Sequence, residues 1–173
     1  MNDKIKSIIV LTVICLVVTA LLAVTNSFTS PIIEEARAEK VQASLSTVLP
    51  EASGFTEVEL PENAPSTVKS AYKAADGSWA VVLATRSAYS SGDLGITVGV
   101  SPEGEIKGIT LTSYQESKDF GKDTYPQNYV GTNGNTYEDV DSFAGVTYSS
   151  KALKKAIGDA FSLIDILEGG EAK

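Results

Sequence analysis

The residues best suited to chemistry are concentrated in Asp141-Ser142-Phe143-Ala144-Gly145-Val146-Thr147-Tyr148-Ser149-Ser150. Hydroxyls on Thr147, Ser149 and Ser150 follow Gly145, which permits a tight turn, and an amphipathic run begins directly after them. The first N–H groups of a helix have no intrahelical partner and its peptide dipoles present a positive end there, so the pattern suits a bound phosphate. Lys151 adds a full positive charge. By spacing alone the hydroxyls suit helix capping equally well, and capping is the commoner use of Ser and Thr at such a position.

What the chain lacks narrows the chemistry further. Its 173 residues include no His and one Cys, with 14 Lys+Arg against 22 Asp+Glu for a net charge of −8. Without His there is no imidazole base, no Ser-His-Asp triad and no His-ligated metal. One Cys makes no internal disulfide, redox dithiol or iron–sulfur cluster. An acidic chain without a basic cluster is a poor partner for nucleic acid. Any redox chemistry must therefore come from a bound organic cofactor, and no metal site is expected.

The elements that position this segment are readable in order. No charged residue occurs from Ser7 to Ile33. As a helix, Ile5–Val24 would cover about 30 Å, the thickness of a hydrocarbon core. Lys4 and Lys6 precede it and Glu34 and Glu35 follow, which puts the N-terminus in the cytoplasm and the remainder outside. The run is longer than a signal-peptide core and lacks its small-residue cleavage spacing, favouring an uncleaved anchor. Cys15, inside the run, reads as a packing residue. Residues 34–173 hold 12 Lys+Arg and 21 Asp+Glu, a net charge of −9 that makes a soluble, self-repelling surface.

Ile32–Leu49 spaces Ile33, Ala36, Val41, Leu45 and Val48 as an amphipathic helix that Pro50 ends, and residues 50–66 read as a proline- and glutamate-rich loop. Val68–Ala74 and Ser78–Thr85 flank an Asp-Gly turn, and Ile96–Val100 and Ile106–Thr112 flank Ser101-Pro102-Glu103-Gly104-Glu105. Both pairs predict hairpins. Residues 113–142 are polar and irregular, and a stretch of that length is more often functional than filler. Ser149–Ile166 places Ala152, Leu153, Ala156, Ile157, Ala160, Phe161 and Ile164 on one helical face. The expected fold is α+β: an N-terminal transmembrane helix, then a small antiparallel-sheet domain with a packed C-terminal helix.

The segment D-x-x-A-G-V-T-Y-S-S resembles the D-x-x-S-G-A-T-x-T/S-S attachment motif of FMN-binding domains. These include the G subunit of Rnf complexes and the related C subunit of sodium-pumping NADH:quinone reductases. Asp141, Gly145 and Thr147 match, while Ala144 and Val146 stand where the motif has Ser and Ala. Ser113–Gly121 is similar to the family's H-x-E-T-P-G-L-G loop, with Glu116 and Gly121 in register, Ser117 for Thr, and Lys118-Asp119 in place of Pro-Gly. Tyr89–Gly95 resembles its glycine-containing G-Y-G-G region. The short exported part is more similar to the Rnf G subunit than to the longer quinone-reductase subunit.

The resemblance implies FMN joined through its phosphate to the Thr147 hydroxyl by a separate flavin transferase that uses FAD and magnesium. Asp141, Gly145, Ser149, Ser150, Lys151, Glu116 and Ser117 would complete the cofactor site. It further implies an electron relay within a complex that couples ferredoxin:NAD+ oxidoreduction to Na+ or H+ movement, with the other membrane and peripheral Rnf subunits as partners. The corresponding layout is a cytoplasmic tip (1–6), a transmembrane helix in the lipid bilayer (7–27), a juxtamembrane helix and linker (28–66), an FMN-binding domain (67–168) and a tail (169–173). No glycine motif for NAD is visible, which sits badly with a complete dehydrogenase. Two other readings stay open: a non-redox, membrane-anchored binding or assembly module, and a stand-alone exported flavin reductase. Tyr114, Tyr125, Tyr129, Tyr137 and Tyr148 are candidates to stack on the flavin, with apolar packing the ordinary role for most of them.

Overall fold

The structure, a computed structural model, describes residues 3–86, 94–114 and 124–169. It divides into two compact units, Met1–Lys40 and Val41–Lys173. In the first, Lys6–Ser30 is a helical stretch long and apolar enough to cross a membrane, and none of it is buried against protein. Thr12, Thr19, Ser27 and Thr29 each return their hydroxyl to the carbonyl four residues back, at 2.8–2.9 Å, so these polar side chains leave no unmet donor on an otherwise apolar helix. The apolar run and the amphipathic segment after it form one helix, α1 (Asp3–Val48).

The second unit is built on a five-stranded sheet in the order β1-β2-β3-β4-β5, every neighbouring pair antiparallel. The strands are β1 (Thr56–Val58), β2 (Val68–Lys73), β3 (Trp79–Thr85), β4 (Leu94–Val100) and β5 (Ile106–Ser113). Both expected hairpins form. Gly77 (φ +90°) and Gly104 (φ +81°) supply the left-handed turn residues, and Asp76 Oδ1 accepts the Ser78 N–H at 2.9 Å. One expectation is corrected: the stretch 50–66 is not all loop, because Thr56–Val58 adds an edge strand to β2 in the register Thr56↔Lys73. The polar stretch 113–142 contains two short 3-10 turns, Pro126–Tyr129 and Tyr137–Asp139.

One face of the sheet is covered by α2 (Thr147–Leu167), and the other meets the last turn of α1 and the residues just after it. On the first face Trp79, Val81, Leu83, Ile96, Val98 and Ile109 pack with Leu153, Ala156, Ile157, Ala160 and Leu163 of α2. On the other, Leu45, Val48 and Leu49, at and just beyond the end of α1, enclose Ala80. That approach is backbone-close: a Cβ on Gly108 would stand 2.4 Å from the Val48 carbonyl oxygen, and one on its cross-strand partner Gly99 2.8 Å from the same atom. Beside this notch the buried Thr97 hydroxyl donates to Ser44 Oγ at 3.0 Å.

Two hydrogen bonds fix the direction of α2. Trp79 Nε1, at the start of β3, donates to Glu168 Oε1 at 2.9 Å. Thr67 Oγ1 donates to Asp159 Oδ2 at 2.7 Å, and the Thr67 carbonyl accepts the Ala84 N–H near the end of β3. The N-terminus of α2 therefore points to the end of the sheet where β3 stops at Thr85, β4 begins at Leu94 and β5 stops at Ser113.

Candidate functional site

The segment entering α2 is shaped by one left-handed residue. Gly145 has φ +83°, Val146 is the N-cap, and Thr147 is the first helical residue. No side-chain hydrogen bond caps the helix, and the valine at the cap has no acceptor to offer. The ordinary capping role for these hydroxyls is thus not the one they play. The first intrahelical bond is from the Ser150 N–H to the Val146 carbonyl at 3.1 Å, so the N–H groups of Thr147, Tyr148 and Ser149 precede the helical ladder.

The three hydroxyls do not form a row, because successive helical residues point about 100° apart. Thr147 is exposed, whereas Ser149 and Ser150 are fully buried. Ser150 Oγ is committed to the approach loop: it donates to the Val146 carbonyl at 3.0 Å and accepts the Phe143 N–H at 3.1 Å. Ser149 Oγ is enclosed and has no hydrogen-bond partner among the described residues, on the same buried side of α2 as Leu153, Ala156 and Ile157. An unmet buried hydroxyl costs about 1–3 kcal/mol. Lys151 is exposed one turn beyond Thr147, on the same helical face.

Asp141 and Gly145 lie on the exposed approach loop. What holds Asp141 is its backbone: the Tyr125 hydroxyl donates to the Asp141 carbonyl at 3.0 Å. Tyr125 is 3% exposed, lies edge-on to Phe143 at 5.6 Å between ring centroids, and meets Tyr129 edge-on at 5.9 Å with the two hydroxyls 3.3 Å apart. Tyr125 was not legible as a support for this loop, since nothing in the sequence ties it to a carbonyl sixteen positions away. Burial, followed by its bond to Tyr125, holds the Tyr129 phenol well above its usual ionisation range. Of the five candidate tyrosines, Tyr125 and Tyr129 are core residues, Tyr114 and Tyr137 are half-buried, and Tyr148 stands exposed beside Thr147. Glu116, Ser117, Gly121 and most of Tyr89–Gly95 lie outside the described residues. Among the described residues no cluster of His, Cys, Asp and Glu is arranged to hold a metal ion.

These groups suit a phosphate-bearing cofactor: an exposed hydroxyl at the first helical position, first-turn N–H groups ahead of the ladder and a lysine one turn on. Residues 90–162 match the family model of the FMN-binding domain, a span from just before β4 into the second half of α2. Residues 3–48 match that of the RnfG N-terminal region, the same residues that form α1. No curated protein matches the chain. The two matched regions together, one the apolar helix and the other β4, β5 and most of α2 with the Thr147 segment, place the chain among the FMN-binding electron-transfer subunits of the RnfG type.

Proposed function

We propose that this chain carries its FMN as a phosphoester on Thr147 and relays electrons as one subunit of an Rnf-type complex that couples ferredoxin:NAD+ oxidoreduction to ion movement. The observation that supports this best is the placement of Thr147. Its hydroxyl is exposed at the positive end of a 21-residue helix and is not used for capping. Attachment joins Thr147 Oγ1 to the phosphorus of the FMN half of FAD. The P–O–P bond breaks, AMP leaves, and the hydroxyl proton passes to a base of the flavin transferase. When bound, the flavin supplies one- and two-electron chemistry that the side chains of this chain lack.

The chain's own residues hold and orient the phosphate. First-turn N–H groups and the Lys151 ammonium offset its charge. Gly145 and Asp141 shape the entry to the helix, and the family resemblance adds Glu116 and Ser117 to the cofactor site. A permanent tether frees occupancy from the concentration of free FMN, which suits a relay on the outer face of a membrane. In this reading the helix within Lys6–Ser30 spans the bilayer once, with the N-terminus in the cytoplasm and the folded unit on the opposite side. Peptide mapping after co-expression with a flavin transferase tests the attachment. The expected result is FMN mass on the peptide containing Thr147; flavin on another residue, or none, overturns it.

A further inference from the structure

The approach loop is held by a side chain that lies outside the attachment motif. Tyr125 is buried among Tyr129 and Phe143 and spends its hydroxyl hydrogen on the Asp141 carbonyl, 3.0 Å away. Six residues later the chain reaches Thr147, and between them the Phe143 N–H and Val146 carbonyl are both tied to Ser150 Oγ. The loop 141–146 is therefore pinned at its start by Tyr125 and at its end by Ser150. Phe143 packs on the Tyr125 ring and Val146 on the core, while the other side chains of the loop are exposed and leave its order to these hydrogen bonds. The left-handed Gly145 inside it has nothing among the described residues within 4 Å of where a Cβ would stand, and the turn around it is closed by the Val146 N–H on the Phe143 carbonyl at 3.2 Å.

We propose that Tyr125 is a positioning residue for flavin attachment: its bond to the Asp141 carbonyl holds the loop so that the Thr147 hydroxyl is presented to the phosphorus of FAD. Tyr125 takes no part in the bond exchange at Thr147. This inference rests on the reading of Thr147 as the acceptor. Tyr125→Phe keeps the ring and its contacts with Phe143 and Tyr129 and removes the hydroxyl alone.

The test is the steady-state rate of flavin transfer to the full-length chain in detergent, with a flavin transferase, FAD and Mg2+, as a function of chain concentration. For Tyr125→Phe the expected result is kcat lowered roughly three- to ten-fold, the effect of one neutral hydrogen bond, with KM for the chain unchanged. A merely structural role would leave a fraction of the chain unfolded, raising KM at unchanged kcat; that outcome, or wild-type kinetics, overturns the proposal. Phe143→Leu loosens the same loop without touching the Tyr125 hydroxyl and is expected to lower kcat in the same way; kinetics identical to wild type would also count against it. Failure of the acceptor reading is distinguishable. In that case the wild-type chain takes no flavin at Thr147, whereas failure of the positioning role leaves Thr147 labelled at full rate in Tyr125→Phe.

Discussion

At the scale of single residues, position on α2 decides what each hydroxyl in the T-Y-S-S run can do. Thr147 faces solvent, Ser149 is enclosed without a partner, and Ser150 is spent on the loop. The sequence places the three together but cannot separate their roles, because the roles follow from a helical start one residue before Tyr148, from which side of α2 is buried, and from bonds back to the approach loop. Gly145 was legible as a turn residue, and its φ of +83° is the reason. With nothing near its missing Cβ, Gly145→Ala should cost only backbone strain, about 1 kcal/mol, and Gly145→Asn less. Chemical denaturation of the full chain measures both.

Tyr129 gives a pH signature at the same scale. Burial, then its Tyr125 partner, keeps its phenol protonated beyond the usual range. In the unfolded chain a tyrosine ionises near about pH 10, so above that the unfolded state binds fewer protons than the folded one. The stabilisation is complete below that pH and is lost as pH rises through the folded value. Stability should therefore fall with rising pH above about 10, and the fall should be shallower in Tyr129→Phe, as read from denaturation midpoints across the alkaline range.

At the scale of elements, the helix and hairpins were legible and the surfaces between them were not. The 3.6-residue apolar period of Ser149–Ile166 anticipated α2 (Thr147–Leu167) to within two residues at each end, and the Asp-Gly and Pro-Glu-Gly turns anticipated both hairpins. β1 went unread because three residues pairing with the sheet edge leave no period of their own among prolines. The approach of Val48 to Gly99 and Gly108 was equally silent. The two glycines lie nine positions apart and become neighbours only through the β4–β5 register. Residues 41–49 are thus part of the sheet's packing as well as the end of α1. Gly108→Ala would drive a methyl into the Val48 carbonyl and should cost about 1–3 kcal/mol, the usual range for overpacking. Gly104→Ala, with open space around it and only its left-handed backbone at stake, should cost less. Thermal unfolding of the two variants side by side checks the order.

At the scale of the whole molecule, the charge balance resolves into a lysine-bearing tip, an uncharged helical run and an acidic folded unit. The proposed topology puts Ser162, exposed on α2, outside the cell and Asn2 inside. In a Cys15→Ser background, Ser162→Cys should react with a membrane-impermeant maleimide on intact cells, and Asn2→Cys should react only after lysis. The opposite pattern would invert the orientation. A helix long and apolar enough to cross a membrane and the FMN-binding region were both legible, the first from length and hydropathy and the second from a ten-residue motif. A relay by this chain depends on bound flavin, because a chain without His and with a single Cys has no redox centre of its own, and the proposed link at Thr147 is what makes that flavin permanent.

That claim is tested most directly by in-gel ultraviolet fluorescence of the denatured chain after co-expression with a flavin transferase, comparing wild type, Thr147→Ser and Thr147→Ala. We expect a fluorescent band for wild type and for Thr147→Ser, which keeps a hydroxyl, and a dark band for Thr147→Ala. A dark wild-type band, or fluorescence that survives Thr147→Ala, would contradict attachment at Thr147.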